Sequence, residues 1–177
     1  QGSKYYGSTL GPYKTPSKES DPRVSVNNFY YEQEDYVLAR QKGKRWTWSA
    51  TRPHAVCEGA PGIARSIGMV IAVYAAVRKE LGEPFTFPGS AGNYRALYQC
   101  TEATHLSRAI AWMAREPRCA NQAFNITNGD TIRWMNLWPV FADYFGMKPG
   151  PVQTTRLGVE MPGKAAVWER IVKKHGL

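Results

Sequence analysis

Two adjacent tyrosines, Tyr30 and Tyr31, stand just before an acidic cluster in the stretch NFYYEQED at 28–35. A tyrosine exchanges a proton near neutral pH only when a nearby cation lowers its pKa from about 10. One known arrangement places a lysine four residues further along the same helix. Here those positions hold Glu34 and Asp35. The tyrosines are therefore either structural, or their cation comes from elsewhere in the chain.

Lys4 is the candidate for that cation. It follows the segment Gln1-Gly2-Ser3, which has the features of a strand end. A side chain at the carboxyl end of a parallel strand faces the crevice in which ligands bind. By pattern alone, however, a lysine near a chain end is ordinarily a solvated residue.

The composition is that of a globular domain with a sizeable core. Of the 177 residues, 43% are hydrophobic and 21% are charged. The net charge is +9 and the isoelectric point about 9.6, which is compatible with nucleic acid or with phosphate as a partner. The basic residues are scattered and no nucleic-acid-binding signature accompanies them. We therefore do not expect nucleic acid as a partner.

The three cysteines Cys57, Cys100 and Cys119 show no spacing typical of a metal site or a disulfide framework. We expect no bound metal and a reducing compartment such as the cytoplasm. The longest apolar run, Ile67 to Val77, is too short to span a bilayer, and we expect no signal peptide. A membrane partner is not expected.

The periodicity of apolar residues and the turn signals predict alternating helices and strands. Residues 5–25, rich in glycine and proline, predict a long loop. Asn27 or Asn28 is predicted to cap the first helix, while Thr101 and Thr131 are predicted to begin two later ones. The helices are predicted over 28–42, 63–81, 101–115, 131–145 and 164–175, and the strands over 46–51, 85–87 and 123–127. This alternation is typical of α/β folds, but the strands are too few for a complete doubly wound sheet.

Several blocks of the chain resemble the short-chain dehydrogenase/reductase superfamily. More narrowly they resemble its atypical extended members, the progesterone 5β-reductase/iridoid synthase-like (PRISE) group. The pairing of NFYYxxED with an upstream GxK is specific, and the similarity runs in order over most of the chain. The blocks are Gly2-Ser3-Lys4-Tyr5-Tyr6, NFYYEQED, TWSATRP at 47–53, VYAA at 73–76, AFNITNGD at 123–130 with Trp134 and Trp138, and VWE at 167–169.

The resemblance implies the C-terminal portion of a Rossmann-type fold together with its substrate-binding region. Residues 1–62 would complete the dinucleotide-binding domain. Residues 63–177 would form mainly the substrate-binding region, with the strand at 123–127 as a late Rossmann element. The chain contains no G-x-G-x-x-G motif, so we expect the pyrophosphate-binding half, and the residues that choose NADP over NAD, to lie upstream.

The resemblance also implies a chemistry. The family transfers a hydride from NADPH to the β-carbon of an α,β-unsaturated carbonyl, and negative charge develops on the carbonyl oxygen. Its catalytic tyrosine falls on Tyr31, which would stabilise that oxygen, while Tyr30 is its packing neighbour. Its lysine falls on Lys4, which would tune the phenol and bind the nicotinamide ribose.

Further positions follow from the same resemblance. The loop Pro53-His54-Ala55-Val56 is predicted to line the nicotinamide, mainly through backbone groups, and Tyr13 falls in a substrate-facing segment. The apolar helix at 63–81 is predicted to be core and subunit interface, as in relatives that form homodimers.

Two other functions remain open at this stage. One is an extended epimerase or dehydratase that acts on a nucleotide sugar, although the departure from the usual Tyr-x-x-x-Lys spacing argues against it. The other is a non-catalytic NADP-binding regulatory protein on the same fold. The partners expected are an enone substrate, the missing N-terminal half and a second copy of the chain.

Overall fold

The computed structural model describes residues 2–59 and 66–177. Its helices are α1 Phe29–Gln41, α2 Ile67–Glu80, α3 Ala91–Arg95, α4 Ala103–Met113, α5 Trp134–Tyr144, α6 Leu157–Glu160 and α7 Ala165–His175. Its strands are β1 Ser49–Pro53, β2 Ala55–Cys57, β3 Phe85–Phe87, β4 Leu97–Tyr98, β5 Cys100–Glu102, β6 Gln122–Ile126, β7 Ile132–Arg133 and β8 Pro149–Val152. Short 3₁₀ helices occur at Gly2–Tyr6, Pro117–Cys119 and Met161–Lys164.

The chain divides into two compact units. Unit 1 comprises residues 1–57 and 99–130, and unit 2 comprises residues 58–98 and 131–177. This division differs from the predicted one at 62/63, because the chain returns to the first unit with β5, α4 and β6. The sequence contains no local signal for that return, since it depends on strand pairing over long sequence distances.

Unit 1 is built on parallel strand pairs. Strand β1 pairs with β6 in the register Ser49 with Gln122 through Pro53 with Ile126. Strand β2 pairs with β5 in the register Ala55 with Cys100 through Cys57 with Glu102. Parallel pairs need long crossover connections, usually containing a helix, and α4 lies in the connection that runs from β1 to β6.

Helix α1 begins as predicted. The side-chain oxygen of Asn28 accepts a hydrogen bond from the Tyr30 amide at 3.1 Å, so Asn28 is the N-cap. Tyr31 is the buried residue of this helix, whose other members are exposed or half-buried. The chain leaves the helix through Lys42 and through Gly43, which has a φ of +69°.

The two predicted threonine caps are wrong. Thr101 lies in β5 and is fully buried; its hydroxyl donates to the Ile126 carbonyl at 2.9 Å and accepts from the His54 amide at 3.1 Å. Glu102 caps α4 instead, through the amides of the next helix turn. Thr131 precedes the short strand β7, and α5 starts after Arg133 without a side-chain cap.

Unit 2 is held by an aromatic core between α2, β3 and α5. Phe85 stacks on Trp138 with ring centroids 4.2 Å apart, and the Trp138 indole N–H donates to the Phe85 carbonyl at 2.9 Å. Tyr74 and Trp134 complete the buried centre together with Phe87. Strand β3 pairs with β8 in parallel, while β4 pairs with β7 antiparallel.

Helix α2 covers the described part of the predicted helix at 63–81; residues 60–65 lie outside the described residues. It buries Val77 against Val167 and Ile171 of α7. Val70 on the same helix is 44% exposed, so the helix is not buried on all sides. Within 2–59 and 66–177, no helix combines the length and apolarity that a bilayer crossing requires.

Candidate active site

The Lys4 segment is a 3₁₀ helix, Gly2–Tyr6, and the predicted strand end is therefore wrong. Gly2 has a φ of +66°, and a Cβ at this position would lie 2.6 Å from the Pro53 carbonyl oxygen. Only glycine combines that backbone angle with such a close approach. The segment thus packs against the carboxyl end of β1, and the side chain of Lys4 is exposed.

Asn28 joins the Lys4 segment to the start of α1. Its side-chain N–H donates to the Lys4 carbonyl at 2.9 Å, while its side-chain oxygen accepts from the Tyr30 amide at 3.1 Å. The Lys4 segment and the first turn of α1 are therefore bonded to one side chain.

The hydroxyl of Tyr31 is engaged by the backbone. Tyr31 is 8% exposed, and its O–H donates to the Tyr5 carbonyl at 2.5 Å. The same oxygen accepts from the Val24 amide at 3.1 Å. The ring meets the Tyr5 ring edge-on at 5.2 Å. The role of Tyr31 as proton donor stays a prediction, and this geometry argues for a structural role.

Tyr30 has the opposite surroundings. Its side chain is half-buried, and its ring packs against Phe29 with centroids 4.0 Å apart. Within the described residues, its hydroxyl forms no hydrogen bond. The hydroxyl of the pair that is available to a ligand therefore belongs to Tyr30, which sequence reasoning had taken as the packing neighbour.

Arg52 supports this region from the end of β1. Its guanidinium lies 3.4 Å from the centre of the Tyr5 ring and donates to the Tyr6 hydroxyl at 3.3 Å. It also donates to the Glu19 carbonyl at 3.1 Å and to the Glu34 carboxylate at 3.3 Å. The sequence placed Arg52 in a family motif but did not predict its contacts with the tyrosines; the signal was an arginine in a strand of otherwise small and apolar residues.

Glu34 and Asp35 occupy the positions where a lysine would commonly be expected. Glu34 bridges Arg52 to Arg23, whose guanidinium also binds Asp35. The hydrogen bond from Arg23 lowers the pKa of Asp35 below its ordinary value. Both acidic residues thus serve an ion-pair network along α1.

The predicted nicotinamide loop spans the junction of two strands. Pro53 ends β1, and Ala55 and Val56 belong to β2, with Val56 exposed. The His54 amide donates to the Thr101 hydroxyl, and its ring Nδ1 hydrogen-bonds with the Gln99 carbonyl. The cofactor contacts of this loop stay a prediction.

His54 predicts a pH dependence of stability. Burial lowers the pKa of His54 below its ordinary value, against an opposing effect of the Gln99 carbonyl. As the pH falls below about 6.5, His54 becomes protonated in the unfolded chain while it is still neutral in the folded protein. The free energy of unfolding should therefore decrease as the pH falls from about 6.5 to the lower pKa of the folded state. His54→Gln should remove this part of the slope in urea unfolding measured between about pH 5 and 8. His105→Gln, at an exposed position, is the matched control, and equal slopes in both variants would contradict the assignment.

Tyr13 packs beside the same tyrosine cluster. It is half-buried against Tyr5, Tyr6 and Tyr31. Burial and the neighbouring Tyr6 raise the pKa of Tyr13, although a hydrogen bond with Ser3 acts in the other direction. Its phenol is therefore neutral at physiological pH, and its predicted contact with substrate stays a prediction.

The cysteines do not form a reactive centre in unit 1. Burial raises the pKa of Cys100 to about 12, and the neighbouring Cys57 adds to this effect. A thiol of this kind stays protonated and is a poor nucleophile. Within the described residues no group of histidine, cysteine and acidic side chains has the arrangement of a metal site.

Unit 2 contains an apolar cavity of about 260 Å³. Its walls are aromatic and aliphatic, and the described residues that line it carry no charge. Gly89 is required at its edge, because a Cβ there would lie 2.6 Å from the Phe87 ring. Trp134 and Trp138, which the i, i+4 spacing predicts to pack a helix against the sheet, also line this cavity. The other lining residues are Ile67, Val70, Ile71, Tyr74, Phe87, Pro88, Gly89, Asn93, Tyr98, Thr155 and Leu157.

A comparison with protein families bears on the whole chain. The profile of the PRISE-like Rossmann-fold domain matches residues 1–177. The chain belongs to this family. The resemblance that the motifs predicted, and the α/β Rossmann-type fold with it, are thereby confirmed.

Named members of the PRISE-like family are similar to this chain. An (S)-8-oxocitronellyl enol synthase from Nepeta racemosa is 39% identical over 171 residues, which cover 94% of this chain and 43% of that protein. The 3-oxo-Delta(4,5)-steroid 5-beta-reductase from Arabidopsis thaliana is 34% identical over 188 residues, covering 99% of this chain and 48% of the relative. The chain thus spans under half the length of these curated relatives.

Solved structures show the same fold at low identity. The NADPH complex of RMD from Pseudomonas aeruginosa matches with a TM-score of 0.66 at 16% identity, over 88% of this chain and 52% of that one. The NAD complex of the UDP-glucose 4-epimerase from Thermus thermophilus matches with a TM-score of 0.57 at 15% identity, over 86% and 50% of the two chains. At such identities the likeness concerns the Rossmann-type fold of the PRISE-like chain alone.

Proposed function

We propose that this chain, as part of a longer protein, reduces the C=C bond of an α,β-unsaturated carbonyl compound with a hydride from a nicotinamide cofactor. The observation that carries the proposal is the junction at Asn28. It bonds the Lys4 segment to the first turn of α1, where the Tyr30 hydroxyl has no hydrogen-bond partner among residues 2–59 and 66–177. Membership of the PRISE-like family supports the same reaction, because its relatives are named as an enol synthase and a steroid 5-beta-reductase.

In this proposal the proton-donating hydroxyl is that of Tyr30, and Tyr31 holds the helix in place. A donor to the developing enolate oxygen must be free before substrate binds. The Tyr31 hydroxyl is engaged on both sides by backbone groups, whereas the Tyr30 hydroxyl is not. The positive end of the α1 dipole favours negative charge beside the first turn of this helix, and the ammonium group of Lys4 is proposed to act in the same direction.

The cofactor is proposed to contact Lys4 and the backbone of Pro53, His54, Ala55 and Val56. These groups fit such a role, because the Lys4 side chain and Val56 are exposed and the Lys4 segment packs against the end of β1. When bound, the nicotinamide supplies the hydride. NADP(H) is the form that we propose, on the analogy of the family.

The cavity of unit 2 supports a lipophilic substrate. Its described lining is aromatic and aliphatic, with the amide of Asn93 and the hydroxyl of Thr155 as polar groups. A nucleotide sugar carries a diphosphate, which cationic side chains commonly recognise. Taken by itself, the uncharged lining of this cavity suits an apolar ligand better than a nucleotide sugar.

Other features of the whole protein are proposals of the same kind. The exposed Val70 on α2 is compatible with a homodimer interface at this helix, which sedimentation of the wild type and of Val70→Glu would test. The three free cysteines suit a reducing compartment such as the cytoplasm.

The function is tested by NADPH consumption across enones of graded size, using the longest natural protein that contains this chain. We expect turnover with at least one lipophilic enone and no epimerisation of nucleotide sugars. Tight NADPH binding without turnover over a broad panel would instead favour the non-catalytic regulatory protein. A protein that neither binds NADPH nor reduces any enone would refute the proposal.

A further inference from the structure

The Asn28 side chain has two functions that can be separated. An N-cap asparagine stabilises its helix by accepting a hydrogen bond from an early amide, as Asn28 does from Tyr30 at 3.1 Å. Asn28 also donates to the Lys4 carbonyl at 2.9 Å, a contact that does nothing for the helix itself. We infer that Asn28 is a positioning residue that sets the place of Lys4 relative to the Tyr30 hydroxyl; this inference rests on the proposed function.

The tie at Asn28 is one of two between the same elements. The carbonyl of Lys4 accepts from Asn28, and the next carbonyl, that of Tyr5, accepts from the Tyr31 hydroxyl at 2.5 Å. Consecutive carbonyls of the 3₁₀ helix are thus bonded by side chains from the start of α1. The Tyr31 bond is buried, while the Asn28 bond lies at the exposed side, beside the residue whose side chain is proposed to act.

The residue type at position 28 is informative. Asparagine, aspartate and serine cap helices about equally well. Of these three, only asparagine presents an acceptor and an N–H donor on one rigid planar amide. Serine at position 28 could therefore cap the helix, but it could not also keep the hydrogen bond to the Lys4 carbonyl.

The Lys4 side chain has little else to hold it. It is exposed, and within the described residues its ammonium group forms no hydrogen bond or ion pair. Its carbonyl accepts in addition only from the Gly7 amide at 3.2 Å, a bond within the local turn. The position of the ammonium group therefore depends on the backbone of the 3₁₀ helix, and loss of the Asn28 bond loosens that backbone where it meets α1.

The test compares Asn28→Ser, which keeps a neutral helix cap, with Asn28→Ala, which removes both bonds. Asn27→Ser, at an exposed neighbouring position, is the control. Asn28→Ser should melt close to the wild type while kcat for the enone falls about tenfold or more, since small displacements of catalytic groups have large effects on rate. Its pH profile should also differ from that of the wild type, because the Lys4 cation would no longer be held at the same place. Asn28→Ala should show the same kinetic loss and also a lower melting temperature.

Two further measurements separate positioning from a merely structural effect. Lys4→Met should cost less activity in the Asn28→Ser background than in the wild type, which a double-mutant cycle detects. Amide hydrogen exchange over residues 2–6 should accelerate in Asn28→Ser, and the dissociation constant for NADPH should rise. If Asn28→Ser equals the wild type in turnover, pH profile and NADPH affinity, the inference is overturned while the proposed function stands.

The failure of the proposed function gives a different result. A wild-type protein without enone turnover would refute that function. In that case exchange over residues 2–6 and NADPH affinity still decide the inference. Unchanged values in Asn28→Ser would overturn it, and faster exchange with weaker NADPH binding would support Asn28 as the residue that places Lys4 at the cofactor.

Discussion

Tyr30→Phe is expected to lower enone turnover by about 10²–10³-fold while leaving the urea unfolding midpoint almost unchanged. The hydroxyl that this change removes has no hydrogen-bond partner among the described residues, so its loss leaves no buried group unsatisfied. The enolate oxygen would lose its preorganised donor. The measurement is kcat for NADPH-dependent reduction, together with urea unfolding followed by circular dichroism.

Tyr31→Phe is the matched variant one position away. It removes a buried hydroxyl that donates to the Tyr5 carbonyl and accepts from the Val24 amide. Both backbone groups would lose this hydrogen bond. We expect a loss of about 1–3 kcal/mol in the free energy of unfolding and a smaller effect on turnover than in Tyr30→Phe. If instead Tyr31→Phe is stable and inactive while Tyr30→Phe is active, the assignment to Tyr31 made from the sequence is the right one.

Arg52→Met is expected to destabilise the protein by about 3 kcal/mol. The side chain of Arg52 is 3% exposed and serves the Tyr5 ring, the Tyr6 hydroxyl and the Glu34 carboxylate together. Its removal would leave buried acceptors without a donor, although Glu34 would keep its bond to Arg23. Urea unfolding measures the effect, and enone turnover should also fall because the tyrosine cluster rests on this guanidinium.

Two variants control for charge and position. Arg52→Lys keeps the charge but not the planar fork that spans several acceptors, so we expect an intermediate loss. Arg118→Met removes an arginine whose side chain is 84% exposed and should change stability by less than about 0.5 kcal/mol. If Arg52→Met has the same free energy of unfolding as the wild type, the prediction is wrong. The desolvation cost of the buried guanidinium would then equal the free energy gained from its contacts.

Local signals predicted the elements well where neighbours in sequence decide the structure. The Asn28 cap and helix α1 depend on contacts within a few residues. The caps assigned to Thr101 and Thr131 were wrong for the opposite reason. The Thr101 hydroxyl instead accepts from the His54 amide and donates to the Ile126 carbonyl. Strand pairing brings these residues together from distant parts of the chain.

The sequence by itself determined the family of this protein, its α/β class and the presence of a tyrosine pair with a lysine upstream. Motif order and residue type are properties of the chain, and folding is not needed to read them. Only the tertiary structure decided which tyrosine hydroxyl is free, because that depends on the carbonyl of Tyr5 and the amide of Val24. It also decided that Arg52 is buried among the tyrosines and that Asn28 joins Lys4 to α1. Hydrogen bonds across such sequence distances form only when the packed backbone brings donor and acceptor to within about 3 Å.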